Sequence, residues 1–106
     1  MRIRRLHWDE YNIFHIACHG ITTEDVEYVC YGGHVARKAR DRYLVYGKTK
    51  GGRYILVVLG KSEDSFMPIT ARDMNESEKK VCRRMVRNTM LKTMSSMFKP
   101  GDEAEF

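Results

Sequence analysis

The sequence predicts an α+β domain: one small antiparallel sheet of three to four strands, flanked by two short N-terminal helices and one C-terminal helix. Three observations predict it. Apolar spacing is helical up to Gly32-Gly33 and alternating or continuous from Arg42 to Ala71, and a short glycine turn joins two of the strand-like runs. A capping sequence, Asn75 with Glu78, then opens a long final helix.

The first helix is expected over residues 9–19. Asp9 is a natural N-cap, Trp8 before it can staple onto Ile13, and Ile13, Ile16 and Ala17 form the apolar stripe until Gly20 stops it. The second starts at once. Thr22 caps it, Asp25 stands three residues later, and Ile21 can staple Val26; Val26, Val29 and Cys30 carry the buried face. Residues 35–40 read as a weak strand, Arg42–Lys48 and Arg53–Leu59 as two strong ones. The second of these is apolar on both faces and therefore central. Thr49-Lys50-Gly51-Gly52 makes the pair a hairpin. Phe66–Ala71 is a further strand in which Pro68, lacking an N–H, requires an edge or a bulge. The last helix has the stripe Val81, Cys82, Met85, Val86, Met90, Met94 and Met97 and stops at Pro100-Gly101.

A chain of 106 residues suits one domain, here residues 1–100, with 101–106 as an acidic tail. With 42% apolar and 31% charged residues it is neither a disordered chain nor a membrane protein, and no apolar run follows the basic start as a secretory signal requires. Three cysteines without paired spacing (Cys18, Cys30, Cys82) argue against a disulfide framework and fit a reducing cytoplasm. The net charge of +5 is unevenly spread. Residues 6–31 hold five acids and no Lys or Arg, whereas residues 37–61 hold eight bases and one acid. Such asymmetry suits a polyanion-facing surface, or plain solvation.

Three ordered segments resemble BrnT-type toxins. They are Trp8-Asp9 with Asn12, His15 and His19-Gly20; the hairpin Tyr43–Thr49 with Gly52–Val58; and Ile69-Thr70-Ala71-Arg72-Asp73-Met74 with Glu78. The resemblance implies a RelE-like fold and a small metal-independent endoribonuclease without cofactor. It also implies a bacterial or archaeal cytoplasmic setting and neutralisation by a DNA-binding, ribbon-helix-helix-like antitoxin encoded nearby, as a homo-oligomer or a heterotetramer with that antitoxin.

RNA cleavage without metal needs a base for the 2′-hydroxyl proton, cations for the charged phosphorane and an acid for the leaving oxygen. Arg72, at a strand end, suits bidentate phosphate contact. Arg53 and Lys61 flank the central strand roughly 26 Å apart, so only one can join Arg72; the resemblance favours Lys61. His15 and His19, at i and i+4, share a helix face with Asn12 and are the candidate proton carriers, or else cap and pack. Arg37, Lys38, Arg40, Lys48, Lys50 and Arg53 are candidate RNA contacts, and Tyr43, Tyr46 and Tyr54 either stack on bases or pack the sheet. Two other readings stay open. One is a non-catalytic nucleic-acid- or protein-binding module on the same fold, motivated by Ala17 and Cys18 standing where the family usually has lysines. The other is a metal site from His15, Cys18 and His19.

Overall fold

The computed structural model describes residues 2–97, with side chains described through Asn88. Its order is α1 (Glu10–Ala17), α2 (Thr23–Tyr31), β1 (His34–Ala39), β2 (Arg42–Lys48), β3 (Tyr54–Ser62), β4 (Ser65–Asp73) and α3 (Glu76–Met97). The four strands form one antiparallel sheet in the order β1-β2-β3-β4. The expected α+β class and all seven elements are present.

The strand pleat sends alternate residues to two separate cores. Val45, Ile55, Val57, Leu59 and Ala71 pack with Ile16 of α1 and Val26, Val29 and Cys30 of α2; Tyr46 and Leu56 pack with Val35, Met74 and Cys82 on the α3 side. α1 and α2 therefore lie on one face and α3 on the other. Burial pushes the Cys30 thiol up to about 12 and raises that of Cys82, so both act as small apolar groups.

The ends of the helices follow their local chemistry. Asp9 accepts from the Asn12 amide at 2.7 Å, and Thr22 and Asp25 form a complete reciprocal capping box. Asn75 and Glu78 form another, with bonds of 2.9 and 2.8 Å. α1 ends earlier than expected. The Gly20 amide bonds back to Ala17 and the Ile21 amide to Ile16, with Gly20 at φ +71°, which is a Schellman turn over residues 18–20.

The face of α1 is also corrected. Its buried residues are Asn12 and Ile16, whereas Ile13 is 41% exposed and Ala17 is exposed. An eight-residue helix laid on β4 buries one i,i+4 pair, and residue 13 points away from it. Trp8 accordingly packs against the core on the α1–α2 face instead of stapling to a buried Ile13. Val86 of α3 is likewise 40% exposed, outside the buried stripe of Val81, Cys82 and Met85. Met90, Met94 and Met97, the Pro100-Gly101 stop and the acidic tail lie outside the residues or side chains described.

β4 is an edge strand and carries a register shift between Val58 and Leu59, where Leu59 faces Pro68 and Val58 faces Thr70. Both of proline's requirements are thus met at once. An unexpected feature protects that edge. Residues 5–7 run parallel to it, with the His7 amide on the Phe66 carbonyl at 2.8 Å and the Phe66 amide on that of Arg5 at 3.1 Å.

Candidate functional site

β4 ends by placing consecutive residues on opposite faces of the sheet. Arg72 stands opposite Leu56 on the α3 side, and Asp73 opposite Ile55 on the α1–α2 side. Each is gripped by a charge of opposite sign.

The Arg72 guanidinium donates from Nη1 and Nη2 to the two carboxylate oxygens of Glu78, both at 2.7 Å, and from Nη1 to the Asp73 carbonyl at 3.1 Å. Glu78 is the same residue that caps α3, so one carboxylate fixes both the helix start and the arginine. The hydrogen bonds from Arg72 hold the Glu78 carboxyl below its ordinary range, and Glu78 raises Arg72 further above neutrality.

Arg53, in the turn just before β3, pairs with Asp73 through Nε and through an Nη2–Oδ2 bond of 2.9 Å. It also donates to the carbonyls of Gly20 at 2.7 Å and His19 at 2.8 Å. Those are the carbonyls that a Schellman turn leaves free, so Arg53 closes the end of α1 against the sheet. Its hydrogen bond depresses the Asp73 carboxyl, with Lys79 and His19 adding in the same direction.

His19 is exposed beside this pair, its ring edge-on to His15 at 5.6 Å, and His15 stacks on Tyr11 at 6.0 Å. The structure thus gathers Arg53, Arg72, Asp73, Glu78 and the two imidazoles at one rim, where α1 ends and α3 begins. Such a rim has fixed cations on both faces of a strand end and proton carriers next to them, the groups that phosphate chemistry uses.

Lys61 does not join it. It faces Phe66 near the opposite end of β3, with Nζ 6.0 Å from the phenyl centroid, and lies about 17 Å along the strand from Leu56. The reason is register: in an antiparallel pair turning at residues 63–64, the end of β4 meets the start of β3. Counting outward from that turn brings Arg72 opposite residue 55, and the bulge moves it to 56; either way it stands near Arg53 and far from Lys61, so the sequence did hold the signal that favours Arg53. Asp73 and the ion-pair role of Glu78 had no such signal, because they depend on side-chain reach.

The remaining candidate bases are dispersed. Arg37, Lys38 and Arg40 are exposed on β1 and its turn, and Lys48 and Lys50 are exposed at the β2–β3 end. Lys38 lies over the Tyr43 ring and Lys48 over the Tyr54 ring, at 5.7 and 5.6 Å. Tyr46 is buried, and Tyr43 and Tyr54 pack against the two cores, which is the packing role and not an open stacking platform. Among the described residues no three His, Cys, Asp or Glu side chains converge as ligands, so His15, Cys18 and His19 do not assemble a metal site. Nor is any described helix long and apolar enough to cross a membrane.

The fold and rim define a small α+β domain with a paired-arginine strand end. Residues 13–72 match a family described as a domain of unknown function, DUF4258, and the chain belongs to that family. The match runs from α1 to Arg72 and stops before Glu78. No curated protein and no solved structure matches the chain.

Proposed function

We propose that this chain is a metal-independent endoribonuclease of RelE-like type, the toxin of a type II toxin–antitoxin pair. In this reading it acts in a prokaryotic cytoplasm and is neutralised by a DNA-binding antitoxin. The observation that supports the reading best is that the end of β4 holds Arg72 on one face and, through Asp73, Arg53 beside His19 on the other. Together with the resemblance of the three sequence segments to BrnT-type toxins, it suits phosphodiester cleavage. His19 takes the proton of the attacking 2′-hydroxyl, or His15 does so beside it. The new P–O bond displaces the 5′-oxygen, which takes a proton from the other imidazole or from water, and the products are a 2′,3′-cyclic phosphate and a 5′-hydroxyl. Arg72 and Arg53 face the charge that develops on the phosphorane oxygens. Arg53 takes the place that the resemblance gave to Lys61.

One observation favours a second reading, a non-catalytic binding module. Both guanidinium groups are committed to carboxylates, so phosphate must displace Glu78 or Asp73 to reach them. The deciding experiment is cleavage of total RNA in EDTA by wild type, Arg72→Ala, Arg72→Lys and His19→Ala, each checked for folding by circular dichroism. The nuclease reading expects cleavage by wild type and a loss of about 10²-fold or more in each alanine variant. Folded wild-type protein that leaves RNA intact selects the binding module, and equal cleavage by Arg72→Ala removes the rim from the mechanism.

A further inference from the structure

Arg72 shares the α3 face of the sheet with a cleft that the rim does not use. Val35, Tyr46, Leu56 and Arg72 are register partners in one row across all four strands. With neighbouring strands about 4.8 Å apart, Arg72 lies roughly 10 Å from Tyr46. Tyr46 also bears electrostatically on the Arg72 guanidinium. α3 draws the same line from above: Glu78, which holds Arg72, is followed on one helix face by Cys82 and Val86 at i+4 and i+8.

Between that helix face and the sheet lie two adjoining cavities of about 380 Å³ each, which share Tyr54, Cys82 and Val86. The shared lining is apolar. The Lys and Arg that complete it are Lys48 in one cavity and Arg83 and Arg87 in the other, and no carboxylate lines either. Val86, 40% exposed, is the one large apolar side chain outside α1 and α2 that is exposed among the described residues. Lys48, Arg83 and Arg87 are exposed and have no carboxylate partner among the described residues. Lys48 instead carries its ammonium over the Tyr54 ring. An open apolar slot with three cations and no acid fits a ligand that is apolar and anionic at once.

We propose that this cleft seats an unstacked base of a single-stranded RNA, with its flanking phosphates on Lys48, Arg83 and Arg87 and the strand continuing to Arg72. Size, charge and position select this occupant. Each cavity is near the small end of ligand sites, which run from roughly 300 to 1,000 Å³, and so takes one base and not the helix of a partner protein. A basic segment finds no carboxylate to pair with, and a duplex keeps its bases stacked inside. A single strand brings an apolar base and an anion in every nucleotide, and one strand can touch both the cleft and Arg72. Tyr46 and Tyr54 remain packed in the floor, so the base enters between sheet and helix, against Val86, and not onto an open ring. The inference deepens the nuclease reading by giving its substrate a base-binding cleft, and it rests on that reading for the nature of the strand.

The test uses the full chain, isotope-labelled for amide NMR, and three probes. They are 2′-O-methyl oligouridine, which lacks the attacking hydroxyl and stays intact, an abasic sugar–phosphate oligomer of the same length, and a peptide of alternating leucine and glutamate. The oligouridine is expected to shift the amides of Tyr46, Tyr54, Cys82 and Val86 and to bind at least fivefold more tightly than the abasic oligomer at equal salt. Val86→Glu, a substitution at an exposed position, should weaken it at least tenfold while the melting temperature holds, and Val86→Leu should not. Arg83→Gln/Arg87→Gln should flatten its slope of log affinity against log salt by about 1.4. Equal affinity for the abasic oligomer, shifts confined to another surface, or indifference to Val86→Glu overturns the proposal. So does tighter binding of the leucine–glutamate peptide at the same amides, since a protein is then the occupant. Cleavage of unmodified RNA is scored separately. A chain that binds oligouridine in the cleft and leaves RNA intact keeps the cleft and loses the nuclease. One that cuts RNA while Val86→Glu alters neither binding nor cutting keeps the nuclease and loses the cleft.

Discussion

Glu78 holds two positions at once, and its loss therefore has two separable effects. It accepts the Asn75 amide as a helix cap and both ends of the Arg72 guanidinium. Its carboxyl and that of Asp73 sit below their ordinary values of 4.5 and 3.8 because each is paired with an arginine. A carboxylate whose folded pKa is depressed contributes stability above its unfolded value, and that stability is lost as pH falls through the folded one. Glu78→Gln should thus lower the melting temperature at pH 7 by several degrees, the shift that about 1 kcal/mol gives a domain of this size. The gap from wild type should narrow as pH drops below about 4.5, and melts recorded from pH 7 to 3 check this. A gap that is constant across the range contradicts the ionised pair. Under the nuclease reading the same variant frees Arg72, so its affinity for single-stranded RNA should rise while its stability falls.

At the scale of elements, the contact of α2 with β2 leaves no room for a side chain at Gly47. A Cβ built on Gly47 falls 2.5 Å from Cγ1 of Val29, a fully buried side chain whose β-branching makes it stiff at χ1. Gly47→Ala should cost about 1–3 kcal/mol in urea unfolding as overpacking, and Val29→Ala in the same chain should recover part of it. Purely additive losses contradict a shared contact. Elements governed by near neighbours were legible in the sequence. The Thr22–Asp25 and Asn75–Glu78 boxes, the Gly20 stop, the central β3 and the edge-and-bulge position of Pro68 all follow from residues a few places apart. What depends on distant partners was not. Ile13 looks buried until α1 is laid on β4. Residues 5–7 show no strand pattern, because a single bridge to Phe66 is the only strand pairing they make among the described residues. Arg53 reads as a free base until the carbonyls of residues 19 and 20 arrive from more than thirty positions away.

On the scale of the whole molecule, charge is segregated by element: α1 and α2 hold carboxylates without Lys or Arg, while the N-terminal residues, β1, the strand ends and α3 hold the bases. A polyanion should therefore stay off the α1–α2 pair and approach from the β1 and α3 side. Arg37 and Lys38 are exposed on β1, an edge strand, where their removal opens no cavity and breaks no ion pair among the described residues. Under the nuclease reading their contribution to RNA binding is electrostatic, and electrostatic binding shows in its salt dependence. Each phosphate neutralised on a single strand contributes about 0.7 to the slope of log affinity against log salt. The pair Arg37→Gln/Lys38→Gln should then flatten the slope for oligouridine by about 1.4, with little change in melting temperature. Glu24→Gln/Glu27→Gln should leave the slope where it is, because those carboxylates lie on the other side of the charge divide. If both double variants flatten the slope alike, phosphates are not confined to the basic elements, and the charge pattern of the chain reflects solvation alone.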